Sequence, residues 1–202
     1  MSFNSIHGIF VKTLPYSDNA QIATLFTDER GIVDVFVKRS NAKSAGGDAV
    51  ITPLNEVEMT LREGRGELWY CQECRLMEGF LGLRSSLSAL QGGIELLRAV
   101  HLSQLKERPA PLIYALLKNY LGRLEQGEVS WKITTSFYLK LLRHEGLWID
   151  EKTDEVVFEK EEWDTCFLLA HCTRRSDLEA VFCSQPDQLL CKIRQLFEVR
   201  LA

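Results

Sequence analysis

The sequence predicts an α+β protein: a small closed barrel of five short strands at residues 1–80, followed by a helical region at 81–202. Two observations carry this prediction. Up to about residue 80, apolar and polar side chains alternate with a period of two, and turn signals cut the pattern at short intervals. From Ser85 onward the apolar residues recur at three- and four-residue steps, the period of helices. No internal repeat or low-complexity tract interrupts either half.

Strands are expected near 5–13, 21–27, 32–38, 54–62 and 67–77. "TDERGI" puts Gly31 at the end of a tight turn, where positive φ carries no Cβ strain, and "REGRGEL" does the same with Gly64 and Gly66. The fourth strand alternates most cleanly. Val57, Met59 and Leu61 face one way, and Glu56, Glu58, Thr60 and Arg62 the other. Short strands with one polar face fit a closed barrel, because closure removes the exposed edges.

In the helical region "SSLSALQGGIELLRAVHLSQL" opens on serine caps and continues with Leu87, Leu90, Ile94, Leu97 and His101 as its apolar stripe. On that stripe His101 reads as a hydrogen-bonded core histidine. "APLIYALLKNYLGRLEQG" runs from Pro109 and Pro111 to Gly127, the usual asymmetry of helix ends. "SWKITTSFYLKLLRHEG" stacks Phe137, Leu141 and Leu142 and stops at Gly146. Residues 145–164 then read as a solvated loop or a short hairpin, and two further helices follow, near 176–184 and from Pro186 onward.

The totals narrow the class. Of 202 residues 46% are hydrophobic and 26% charged, enough apolar material for a packed core. The N-terminal "MSFNSIHGIF" lacks the basic flank and apolar run of a signal peptide, and no stretch reaches the length of a membrane span, so a cytoplasmic protein is expected. Six cysteines in that setting read as reduced thiols packed as small hydrophobes. "CQEC" has zinc-like spacing, but on a strand Cys71 and Cys74 would face opposite sides, and the other four form no second pair. No metal and no cofactor is expected. The net charge of −4 conceals an asymmetry, since residues 145–164 hold nine acids against two lysines. The remainder is positive, and local patches decide what a surface attracts.

Catalytic patterns are missing. There is no glycine-rich phosphate loop and no GxSxG elbow, and the four histidines are scattered without carboxylate partners at ligand spacing. The acids at 159, 161 and 162 read as a solvated run, so the chain is not expected to be an enzyme. Binding has more support. With Val33, Val35 and Val37 inside a barrel, Asp34, Phe36 and Lys38 point out, an aromatic one pleat from a cation. Single-stranded nucleic acid uses that pairing, with base on ring and phosphate on amine. Lys12, Arg30, Arg39, Lys43, Arg62 and Arg65 surround it, Tyr16 is a second stacking candidate, and "VKRSNAKSAGG" reads as a basic loop suited to tracking a phosphate backbone. The competing reading packs Phe36 against the helices and leaves the cations as solubility charges. In the helices, Lys118, Arg123, Lys132, Lys140 and Arg143 stand beside apolar stripes, as a dock for an acidic-hydrophobic tail or as ordinary surface charges.

The stretch from "GIFVKTLPYSDNAQIATLFTDERG" to "GRGELW" resembles the RecO family of bacterial recombination mediators. The Tyr16–Asp18 turn, the strand closing on "LFT", Gly31, the basic loop reaching Ser44, "TPL" at 52–54 and "GRGEL" at 64–68 occur in the family's order. "FYLKLLRHEG" is similar to its Phe-x-x-x-Leu-Leu-x-x-x-Gly helix end. The resemblance implies an N-terminal OB barrel joined to an α-helical domain. It further implies binding of single- and double-stranded DNA, annealing of complementary strands, and cooperation with single-strand-binding protein, RecR and RecA. Many relatives carry a four-cysteine zinc knuckle where this chain has the acidic segment without a CxxC. An acidic balance also suits a different reading, a protein-interaction adaptor whose barrel no longer binds nucleic acid.

Overall fold

A computed structural model describes residues 4–38, 40, 49–64, 66, 68–148 and 158–201. Strands β1 (Asn4–Ser17), β2 (Ala20–Thr27), β3 (Gly31–Lys38), β4 (Glu56–Arg62) and β5 (Leu68–Glu78) close into a barrel in the order β1-β2-β3-β5-β4. All pairings are antiparallel except β3 with β5, which run parallel through Asp34–Leu68, Val35–Trp69 and Phe36–Tyr70. A five-stranded closed barrel of this kind is the OB fold. After a 3-10 turn at Leu81–Ser85 come α1 (Leu87–Ser103), α2 (Pro111–Glu125), α3 (Ser130–His144), α4 (Lys160–His171), α5 (Arg175–Ala180) and α6 (Pro186–Leu201). The α+β class and the barrel-then-helices order agree with the sequence reading.

Alternation on the strands builds two separate apolar clusters. The inward residues, among them Phe10, Leu25, Val33, Val35, Val37, Val57, Met59 and Leu61, fill the barrel. On the outer face, Ile9, Phe26 and Ile32 form one cross-strand row and join the helical core, together with Leu54. Among the described residues, the outer face is therefore covered at one end and open at the other.

The cover is tied down by polar contacts. Glu56, read as part of a solvent face, is 5% exposed and accepts hydrogen bonds from Tyr114 and Lys118 of α2, at 3.0 and 2.8 Å. Between α1 and α2 the backbone of Leu105 and Glu107 bonds both sides of Ile32, adding a short segment to the edge of β3. Gly31, at φ 64°, is required twice over: its turn needs positive φ, and a Cβ there would collide with the carbonyls of Leu105 and Arg108.

Several local expectations are corrected. Cys71 and Cys74 do not diverge; both enter the barrel core. A bulge opposite Thr60 and Leu61 inserts one residue, which reverses the side-chain parity between the two cysteines. Burial pushes both thiols up to about 12, helped for Cys71 by the neighbouring Cys74. His101 is exposed, as are Leu87 (72%) and Ile94 (45%). The buried face of α1 is instead Ala89, Gly92, Gly93, Leu96, Leu97, Ala99 and Val100. Hydropathy undervalues glycine here: Gly92 admits Ser130 of α3, and Gly93 admits Leu54 and Leu83.

The acids after Phe158 are not simply a solvated run, because they start α4. Glu159 and Glu162 form a reciprocal capping box. Glu162 also pairs with Lys192 of α6 at 2.6 Å, both side chains largely buried. The possible hairpin at 148–158 falls almost wholly outside the described residues. The helix expected near 176–184 is shorter, ending at Ala180.

Candidate nucleic-acid interface

The open end of the barrel's outer face carries a continuous cross-strand row. Register alone places Leu14 beside Ile22, Ile22 beside Phe36, Phe36 beside Tyr70, and Tyr70 beside Arg62, so the row crosses all five strands. Tyr16, set out by a bulge between Pro15 and Ser17, is 65% exposed and meets Phe36 edge-on with ring centroids 5.4 Å apart. Tyr70 flanks Phe36 from the other side at 5.6 Å. Phe36 thus packs within an aromatic cluster, and the contacts with the helices are made one row system away by Phe26 and Ile32.

Cations frame this row. The Arg62 guanidinium lies 5.6 Å from the Tyr70 ring, and its buried Nε has no hydrogen-bond partner among the described residues. Lys38 stands exposed beside Ala20, two pairs beyond Phe36 and on the same face of β3. Lys12 lies in the parallel row on the other side, opposite Thr24, and is exposed. Aromatic faces in reach of a strand offer stacking for bases, and flanking amines and guanidinium groups offer contacts for phosphates. Predicted residues Tyr16, Phe36, Lys38 and Arg62 are therefore brought together, with Lys12 at the margin. Arg39, Lys43 and Arg65 lie outside the described residues.

Arg30 is placed elsewhere. It bonds Glu107 at 3.1 Å and lies over Trp69 at 4.6 Å, while Trp69 donates to the same Glu107. Its role in the structure is to join the start of β3 to the α1–α2 connection. Tyr70 was not among the residues singled out from the sequence, although its strand was; its alternation with Leu68 was the available signal.

Beside the row, Lys12, Thr24 and Asp34 are aligned. Asp34 Oδ1 accepts from Thr24 at 2.7 Å, and Oδ2 pairs with Lys106 at 2.8 Å. Burial works against its charge, but the hydrogen bonds from Lys106 and Thr24 and the charges of Lys106 and His101 outweigh it, holding the carboxyl below its ordinary value.

The five helical cations do not form a common patch. Lys118 pairs with Glu56, and Arg123 makes a two-pronged pair with Glu128 at 2.7 and 3.0 Å. Lys132 donates to the carbonyls of Leu178 and Glu179, Lys140 to Cys172, and Arg143 to Ala170. The last three serve the C-terminal ends of α4 and α5, where carbonyls lack helical partners and the dipole favours positive charge.

Among the described residues, no group of three or more His, Cys, Asp or Glu could hold a metal ion, and no helix is long and apolar enough to cross a membrane. Comparison with known proteins points the same way as the barrel. The family model "Recombination protein O N terminal" matches residues 1–80. The chain is similar to "DNA repair protein RecO" of Chlamydia pneumoniae, at 24% identity over 142 residues covering 70% of this chain and 56% of the relative. It is similar to the protein of the same name from Myxococcus xanthus, at 25% identity over 142 residues, 69% of this chain and 57% of the relative. The aligned part thus spans little more than half the length of these relatives. The matched stretches extend past the barrel into the helices, so both the barrel and part of the helical region are similar to proteins named RecO.

Proposed function

We propose that this chain is a DNA-repair protein that binds single-stranded DNA across the open face of its barrel. The observation that carries the reading is the row Leu14–Ile22–Phe36–Tyr70–Arg62, part-exposed and framed by Lys38 and Lys12. Stacking on Phe36, Tyr16 and Tyr70 would tolerate any base, because every base has a π-face. Phosphate contacts by Lys38, Arg62 and Lys12 would add affinity without sequence preference. The basic loop holding Arg39 and Lys43, together with Arg65, would extend the phosphate path; these residues enter from the sequence alone.

In this reading the chain also engages duplex DNA, anneals complementary strands, and helps a recombinase such as RecA onto DNA coated by single-strand-binding protein, with RecR as a further partner. The family supports these steps. Of the five helical cations, Lys118 and Arg143 keep exposed side chains that could meet an acidic tail. The test is binding of a labelled thymine oligonucleotide over a salt series. Wild-type binding that weakens linearly on a log–log plot, and a clear loss in Tyr70→Ala, are expected. Salt-independent weak binding, or a folded Tyr70→Ala with full affinity, would favour the adaptor.

A further inference from the structure

The two outer rows nearest the open end contain one acid. Lys12, Thr24, Asp34 and Leu68 align in one row, and Leu14, Ile22, Phe36, Tyr70 and Arg62 in the next. Asp34 sits two residues before Phe36 on the same face of β3. A carboxylate there would repel phosphates approaching the aromatic row from the Lys12 side. It cannot escape its charge by protonation near neutral pH, because its surroundings hold the carboxyl below the ordinary range.

Its neutralising partner does not come from the barrel. Lys106 reaches Asp34 from the connection between α1 and α2, with its Nζ 2.8 Å from Oδ2. That connection is held by backbone: Ile32 N–H donates to Leu105, and Glu107 N–H donates to Ile32, on either side of Lys106. Glu107 also grips Arg30 and Trp69. The salt bridge is thus fixed in place by four contacts besides its own. The Lys106 side chain remains 52% exposed, so its charge is presented at the surface and not merely buried against Asp34.

We propose that Lys106 is a positioning residue of the DNA path, a cation lent by the helical region that cancels the Asp34 charge so that a phosphate backbone can cross β3. The inference rests on the reading of the aromatic row as the DNA surface. In consequence the helical region takes part in strand binding by the barrel without touching a base. Anything that pulled the α1–α2 connection away from Ile32 would unmask Asp34 and lower affinity for single strands.

The test is a double-mutant cycle on the full chain, read as anisotropy of a labelled thymine oligonucleotide between low and moderate salt. Lys106→Met should weaken binding about fivefold at low salt, the scale of one uncompensated surface charge, and the deficit should shrink as salt rises. Asp34→Asn keeps the Thr24 bond and should bind at least as well as wild type. In the double variant the Lys106→Met penalty should disappear. A penalty that persists unchanged in the Asp34→Asn background would overturn the proposal and make Lys106 a direct phosphate contact. No penalty in Lys106→Met would overturn it as well. Thermal melting of each variant, read beside the salt series, separates a folding defect from a charge effect, since a structural loss persists as salt rises while the charge deficit shrinks. Tyr70→Ala in parallel tests the underlying surface: if it binds fully, the DNA reading of the row fails, whatever the cycle shows.

Discussion

Lysine and arginine meet different fates on the barrel and on the helices. On the barrel, Lys12 and Lys38 are exposed and make no hydrogen bond or ion pair among the described residues, while Arg62 lies over an aromatic ring. On the helices, Lys132, Lys140 and Arg143 are drawn onto backbone carbonyls, and Arg123 is locked to Glu128. The difference has a physical origin. Every helix ends with carbonyls that lack intrahelical partners, and those ends attract nearby cations. A closed barrel leaves few such groups, because strand carbonyls pair with the next strand all the way round. Its outward Lys12 and Lys38 therefore meet no such carbonyls, whereas Arg30, at the start of β3, is taken up by Glu107 of the α1–α2 connection. Charge counted from sequence cannot see this; the architecture decides which charges are spent internally.

The contrast predicts which variants lose stability and which lose binding. Arg123→Ala removes one partner of a pair whose side chains are 12% and 7% exposed, so unfolding in urea should show a loss of about 3 kcal/mol. Its folded fraction should bind the oligonucleotide normally, and a selective binding loss would break the comparison. Next in size, Tyr70→Ala should cost about 1–3 kcal/mol of single-strand affinity with little change in melting temperature, by the usual scale of base stacking. Lys140→Met should cost about 1.5 kcal/mol of stability, the scale of a charged hydrogen bond, and leave DNA affinity intact. The smallest effect belongs to Lys38→Gln. It should flatten the slope of log affinity against log salt by about 0.7, one phosphate contact on a single strand, with stability unchanged. An unaltered slope would mean that Lys38 is only solvated.

Asp34 gives the comparison a pH signature. Its carboxyl is held below the ordinary value, so its stabilising contribution is present above about 3.8 and is lost as pH falls through the lower folded value. Because Lys106 is its main partner, part of that loss should be absent in Lys106→Met, as melting at pH 3 against pH 7 would show.

The strand positions, the turn glycine at 31 and the inward valines of β3 were legible in the sequence, because period-two alternation and steric freedom at positive φ are properties of neighbouring residues. So were Phe36, Lys38 and Arg62 as outward residues; Tyr16, expected in a turn after a strand ending near 13, instead lies on β1, which runs on to Ser17. What lay beyond the sequence depends on contacts between distant segments. Barrel closure brings Tyr70 beside Phe36 through a parallel pairing 34 residues apart, which no local pattern records. One inserted residue on β5 turned Cys74 to the same side as Cys71, and a single shift of register reverses every later side chain on a strand. The buried face of α1 was set by glycines that let α3 and Leu54 approach, which hydropathy ranks as empty positions. The acids before Trp163 start α4 through the Glu159–Glu162 capping box, and Glu162 is besides paired with Lys192 of α6, a contact between distant segments. The sequence by itself determined the alternation, the helical periods and the residue types available for binding. Only the tertiary structure decided which cations were consumed at helix ends and which remained at the open face of the barrel, because that depends on where unpaired carbonyls and carboxylates come to lie.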